Sequence, residues 1–189
     1  MQVNPALLAG MQDHEMTISA RYLSGDADFQ RGGVSSRMMG ANGIYPDLGL
    51  AYRFNSDFVF GFGVSPISGL ESKWNYLDAP GGIGGISFGQ LDHDSRFVAV
   101  RLAAGLGWQV SDKLALGISA GAIRSEIGFD APFIFQTNPA LANAKVDLDL
   151  ETEGWAPSVE FGALYQVSPS LKWGGRVKLP VSLDNDGKA

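Results

Sequence analysis

Five apolar residues close together in the sequence form the strongest candidate for holding a ligand. They are Phe129, Phe133, Ile134, Phe135 and Leu141, in a stretch that we predict to be a long loop. Aromatic side chains exposed at this density are typical of a surface that holds an apolar molecule. The same side chains could instead pack the loop onto the rest of the protein as a small core. The sequence leaves both interpretations open.

Pro66 and Gly69 interrupt an otherwise regular apolar segment. Proline has no N–H to donate to a strand ladder, and glycine permits a bend. The two residues therefore predict either a gap in strand pairing or an ordinary strand end.

Two arginines, Arg101 and Arg124, are of a residue type that can pair with a carboxylate. Arginine suits this role because its guanidinium can donate two parallel hydrogen bonds. However, Glu160 and Asp47 are predicted to share the face that carries most of the cations. Ion pairs within the protein are therefore the competing interpretation for these arginines.

Residue types that catalysis, metal binding and nucleic-acid binding require are scarce in this chain. It has no cysteine, two histidines and a net charge of −6, with no basic run. These values argue against thiolate chemistry, histidine-rich metal sites and nucleic-acid binding. Asp92-His93-Asp94 has the composition of half a metal site but no partner cluster, and we interpret it as a solvated loop. We expect neither an enzyme nor a resident metal or cofactor.

The elements that would position these residues show a period of two, which is typical of β-strands. In residues 153–167, large apolar side chains such as Trp155, Phe161 and Tyr165 alternate with small or polar ones such as Ser158 and Glu160. The same alternation predicts seven long strands, at 15–23, 45–55, 57–67, 96–110, 113–126, 153–168 and 170–184. Tight polar turns at 55–57, 111–113 and 168–170 alternate with long connections at about 24–44, 67–95 and 127–152.

Two all-β architectures share this alternation. In a soluble sandwich the apolar face forms the core, and the protein would be a binding or adhesion module. In an antiparallel transmembrane β-barrel the apolar face meets lipid and the other face lines the lumen. Strand length, the alternation of short turns with long loops, and aromatics beside the turns (Tyr52, Trp108, Tyr165) favour the barrel.

Several motifs, in order along the chain, resemble the FadL/TodX family of outer-membrane transporters. They are Asn4-Pro5-Ala6 shortly before the first strand, Ile44-Tyr45-Pro46-Asp47-Leu48, Phe60-Gly61-Phe62-Gly63-Val64, the hairpin Leu102–Gly121 and the strand pair Trp155–Gly187. The resemblance covers nearly the whole chain. It implies a barrel of about 14 strands with an N-terminal plug, of which this chain would supply about seven strands. Residues 1–14 would end the plug and residues 15–189 would form the first half of the barrel.

The resemblance also implies a function: passive transport of hydrophobic compounds, most of all long-chain fatty acids, across the bacterial outer membrane. Ligand would bind an apolar groove among the external loops and leave sideways through a gap in the barrel wall. Asn4, Pro5 and Ala6 would lie beside that gap, at Pro66 and Gly69. The expected partners are hydrophobic small molecules and outer-membrane lipid, with no nucleic acid, and the complete barrel is expected to be monomeric.

Overall fold

The computed structural model describes residues 4–31, 33–39, 42–78, 85–135 and 137–188. Ten strands lie in these ranges: β1 Glu15–Ser24, β2 Asp28–Arg31, β3 Val34–Met39, β4 Asn42–Arg53, β5 Phe58–Leu77, β6 Gln90–Ser111, β7 Leu114–Ile134, β8 Lys145–Ser168, β9 Leu171–Lys178 and β10 Asn185–Lys188. Two short 3-10 helices span Pro5–Gly10 and Pro139–Leu141. No helix in the described ranges is long and apolar enough to cross a membrane.

The strands form one antiparallel sheet that curls like half of a barrel wall. Its order is β1-β4-β5-β6-β7-β8-β10. β9 pairs with residues 160–168 of β8 and β10 with residues 151–154, while β3 pairs with both β2 and β5. The long strands β5 to β8 pair with one another over almost their full length, which makes this part of the sheet continuous.

All seven strands predicted from the alternation are present, and so are the three tight turns between β4 and β5, β6 and β7, and β8 and β9. The predicted loops are wrong in extent, because β5 continues to Leu77, β6 begins at Gln90, β7 continues to Ile134 and β8 begins at Lys145. β9 is shorter than predicted and ends at Lys178, two residues before Pro180, which cannot donate to a ladder. The short strands β2, β3 and β10 were not predicted.

The face that carries the small side chains, called the inner face below, holds the N-terminal 3-10 helix. Added Cβ atoms at Gly107, Gly117 and Gly162 would overlap this helix or its Asn4 cap, so the three glycines form a groove for it. Many other buried residues on this face are also small or polar, among them Ala99, Ala103, Ser119 and Ser158.

The opposite, outer face carries an exposed apolar band. On β8 the outward residues from Trp155 to Val167 include Phe161 and Tyr165, which are 45% and 49% exposed. In a soluble sandwich this large apolar face would be the core, but no second layer covers it within the described residues. The sandwich interpretation is therefore wrong, and the outer face has the character of a lipid-facing barrel wall.

Beyond this band, the same outer face becomes charged. On β8 the outward positions before Trp155 are Asp147, Asp149, Glu151 and Glu153, and on β7 they become Arg124, Glu126 and Asp130. The apolar stretch of β7, from Leu114 to Ala122, covers nine residues, which matches the roughly 9–11 residues of a tilted membrane-spanning strand. The long strands therefore extend past the bilayer on the side away from the tight turns.

Candidate functional site

The N-terminal 3-10 helix is fixed in its groove by its own cap. The Asn4 side chain accepts a hydrogen bond from the Ala6 N–H at 2.9 Å and donates to the carbonyls of Gly175 at 3.0 Å and Ala163 at 3.3 Å. Pro5 at the first helical position needs no donor partner. The Asn-Pro-Ala motif thus caps the helix and ties it to β8 and β9.

Arg53 holds the other end of this helix. Its guanidinium donates to the Met11 carbonyl at 2.9 Å and to the Asn55 and Ser56 carbonyls, at 3.0 and 2.9 Å, in the β4–β5 turn. The helix is therefore anchored at both ends to the sheet.

Between the helix and the sheet lies a cavity of about 170 Å³. Leu8 of the helix and Met11 directly after it line the cavity on one side, and Asp47 of β4, Ser65 of β5 and Arg101 of β6 line it from the sheet. Asn4, Pro5 and Ala6 were expected beside the wall gap, but they contact β7, β8 and β9 instead. It is Leu8 and Met11 that reach the β4 and β5 side, because the helix crosses the sheet from β8 towards β4.

A buried polar cluster borders the cavity. Arg101, 4% exposed, donates to Ser158 at 2.8 Å and Ser119 at 2.9 Å, and its guanidinium lies 3.9 Å from Glu160. Glu160 is 3% exposed and also lies 3.8 Å from Arg176. Arg101 is thus committed to contacts inside the protein, as the shared face with Glu160 suggested.

Arg124, the second candidate for pairing with a carboxylate, lies on the outer face. It pairs in register with Trp155 on the outer face, stacks its guanidinium 6.0 Å from the Trp155 ring, and forms ion pairs with Glu126 at 2.8 Å and Glu153 at 3.0 Å. The alternation does not change phase along β7, so its even-numbered residues all face outward.

The pairing between β4 and β5 is interrupted. It runs from Arg53–Val59 to Leu48–Val64 and then stops. The next described pair on this side of β5 is Met39–Lys73, contributed by β3 in the same register. Residues 42–47 of β4 and 65–70 of β5 lie between these blocks without a mutual ladder pair, an opening about 20 Å long at about 3.3 Å per residue. We call it the β4–β5 window.

Pro66 and Gly69 lie on the β5 edge of this window. They are inside the strand and not at its end, since Pro66 pairs with Val100 and Gly69 with Val98 of β6. The β5–β6 register shifts by one residue between Pro66 and Ser68. This bulge lies at the proline, which has no N–H to donate to a strand ladder.

The aromatic residues expected in a loop belong mostly to a strand. Phe129 and Phe133 lie on the inner face of β7, opposite Leu150 and Val146 of β8. Together with Leu148 they form what we call the aromatic surface, in which Phe133 is 56% exposed.

The other three apolar residues predicted to hold a ligand, Phe135, Leu141 and Ile134, lie outside this surface. Phe135 follows β7 and packs edge-to-face on Phe133, with ring centroids 5.0 Å apart. Leu141 lies in the second 3-10 helix and is 44% exposed. Ile134 pairs with Lys145 on the outer face, so it is not part of the aromatic surface.

Asp92, His93 and Asp94 belong to β6 and not to a solvated loop. His93 shares a hydrogen bond of 3.0 Å with the Tyr76 hydroxyl, while Asp94 forms an ion pair with Lys73 at 3.1 Å. Burial, together with the nearby Asp78 carboxylate, raises the pKa of the Tyr76 phenol above its ordinary value. Alternation along the strand turns His93 and Asp94 to opposite faces, which separates the three residues as metal ligands.

Comparison with known proteins identifies the family. The family model described as outer membrane protein transport protein (OMPP1/FadL/TodX) matches residues 1–189. No curated protein and no solved structure matches the chain. Members of this family transport hydrophobic compounds and are β-barrels of the bacterial outer membrane. The chain therefore belongs to the FadL/TodX family of outer-membrane transport proteins.

Proposed function

We propose that this protein transfers long-chain fatty acids, or hydrophobic compounds of similar size, passively through the side of its barrel wall. Residues 1–14 act as the end of a plug and residues 15–189 as half of the wall. Ligand is captured on the aromatic surface, passes the cavity beside Leu8 and Met11, and leaves through the β4–β5 window. Each step in this route is binding or diffusion, so no covalent chemistry by a side chain is required.

The observation that carries this proposal is the position of the window next to the cavity. Asp47 and Ser65 line the cavity, and both come directly after the last β4–β5 pair. A molecule in the cavity thus lies beside strand edges that share no ladder pair within the described residues. Leaving at this point would deliver an apolar molecule into lipid without crossing the polar lumen.

The capture step is supported by the exposure of the aromatic surface. Phe129, Phe133, Val146 and Leu148 are between 38% and 56% exposed, on the same face as the cavity. An apolar patch of this kind is typical of a ligand-binding surface. The cavity holds about 170 Å³, less than the roughly 300 Å³ of a small ligand pocket, so it receives part of a long chain at a time.

Closing the window with a disulfide tests the route. The chain has no cysteine, so Asp47→Cys with Ser65→Cys introduces a single reactive pair where the two strands begin to separate. We expect oxidation to reduce uptake of a radiolabelled long-chain fatty acid by cells, and a thiol reductant to restore it. Formation of this window cross-link is followed by gel mobility, on equal amounts of folded barrel.

The matched control is Ala104→Cys with Ala120→Cys. These two residues pair across the uninterrupted β6–β7 ladder on the outer face, so their cross-link should leave uptake unchanged. If uptake stays normal while the window cross-link is formed, ligand does not leave through the window.

A further inference from the structure

We propose that Tyr45 is the gate of the β4–β5 window and sets the width of the molecules that pass. This inference rests on the proposed route through the window. Tyr45 pairs with Arg21 of β1 but lies in the part of β4 that has no ladder pair with β5, and its ring reaches Gly69 on the opposite edge. A Cβ added at Gly69 would overlap the ring, and one added at Gly43 would lie 2.6 Å from its Cζ atom.

Gly43 and Gly69 form a seat for this ring. Neither glycine has the positive φ that would require glycine for backbone reasons, in contrast to Gly33 at +85°. What both positions lack is room for a side chain, because the Tyr45 ring occupies it. The two edges of the window are therefore bridged by one aromatic ring where the ladder is missing.

The ring is held by packing alone. Tyr45 is half-buried, and within the described residues its hydroxyl forms no hydrogen bond. A side-chain rotation would therefore open the window without breaking a hydrogen bond or a strand pair. Such rotations are fast compared with strand separation.

The position of Tyr45 along β4 places it between the lumen and the lipid. By register Tyr45 belongs to the inner face with Asp47, which lines the cavity. Its neighbours Ile44 and Pro46 belong to the outer face, and Ile44 is 71% exposed. A ligand leaving the cavity through the window meets the Tyr45 ring before it reaches lipid.

Two substitutions should open the window by removing the Tyr45 ring from its position between Gly43 and Gly69, each in a different way. Tyr45→Ala deletes the ring, and Gly69→Ala displaces it from its seat. We expect both to raise uptake of a bulky probe, a pyrene-labelled long-chain fatty acid, severalfold relative to uptake of the unlabelled acid. Gly128→Ala is the matched control, since its added Cβ would meet only the Arg96 Cβ, at 3.8 Å.

All variants are compared at equal amounts of heat-modifiable folded protein. If Gly69→Ala assembles poorly, Tyr45→Ala alone tests the proposal, because it removes the ring without adding atoms. If the ratio of pyrene-labelled to unlabelled fatty acid taken up is the same in Tyr45→Ala as in the wild type, Tyr45 is not the gate. The disulfide experiment separates this failure from failure of the route. If Tyr45 is not the gate, the window cross-link still reduces uptake, whereas if the route is wrong neither experiment changes uptake.

Discussion

Glu160 is the residue on which the buried polar cluster depends. It is the acidic partner of both Arg101 and Arg176, and its own side chain is almost fully buried. Removing one partner of a buried ion pair leaves an uncompensated charge, at a cost of about 3–5 kcal/mol. Glu160→Gln should therefore lower the urea midpoint for unfolding of the refolded barrel.

A double variant distinguishes this charge effect from a loss of packing. Arg101→Met combined with Glu160→Gln should destabilise the protein by less than the sum of the single changes, because the second change removes the charge that the first left unpaired. Additive effects would mean that Arg101 and Glu160 do not interact energetically.

For single residues, the alternation of side chains along a strand predicted which residues share a face of the sheet. The distance between motifs in the sequence did not predict which side chains meet. Arg101 and Glu160 were expected on one face, and the structure brings them together. Tyr45 was noticed only as part of a family motif, because its contacts with Gly69 cross an interrupted ladder that no periodicity reveals. Gly43 and Gly69 are visible in the sequence, but their role as the space for the Tyr45 ring can be recognised only in the structure.

At the scale of elements, the N-terminal 3-10 helix depends on its glycine groove. A Cβ at Gly117 would lie 2.6 Å from the Cα atom of Ala6. Because backbone must then move, overpacking of about 1–3 kcal/mol is expected from Gly117→Ala. The helix should separate from the sheet and be cleaved faster by protease near Leu7 and Leu8, while the barrel keeps its heat-modifiable fold. Gly128→Ala should be cleaved like the wild type, and equal protection of both variants would contradict the groove.

The bodies of the long strands could be predicted from the sequence, but their ends could not. Alternation of apolar and small residues identifies a strand only where one face meets lipid. On β8 the outward side chains change from Trp155 to acidic residues at Glu153, and the apolar pattern ends there. The hydrogen-bonded ladder continues to Lys145 because Ile134 and the rest of β7 still supply partners. Phe129 and Phe133 were placed in a loop for this reason.

At the scale of the whole molecule, the part of the sheet within the apolar band has large apolar residues outside and mostly small or polar residues inside. This arrangement follows from the solvent on each side, since lipid accepts Phe161 or Trp173 without cost and the helix needs room within. The sequence showed the two faces, but only the structure shows where the lipid-facing band stops. Its limit lies at Arg124 and Glu126 on β7 and at Glu153 on β8.

The limit of the band can be tested with two isoleucines on the same face of β7. Ile118 lies within the apolar stretch and Ile134 beyond the charged positions. An arginine facing lipid at the middle of the bilayer costs about 2–4 kcal/mol, falling to about 0–1 kcal/mol near the interface. Ile118→Arg should therefore greatly reduce the amount of folded barrel in outer-membrane fractions, whereas Ile134→Arg should assemble almost normally. Equal loss in both variants would mean that the lipid-facing band extends along the whole of β7, and equal tolerance would mean that its outer face does not meet lipid.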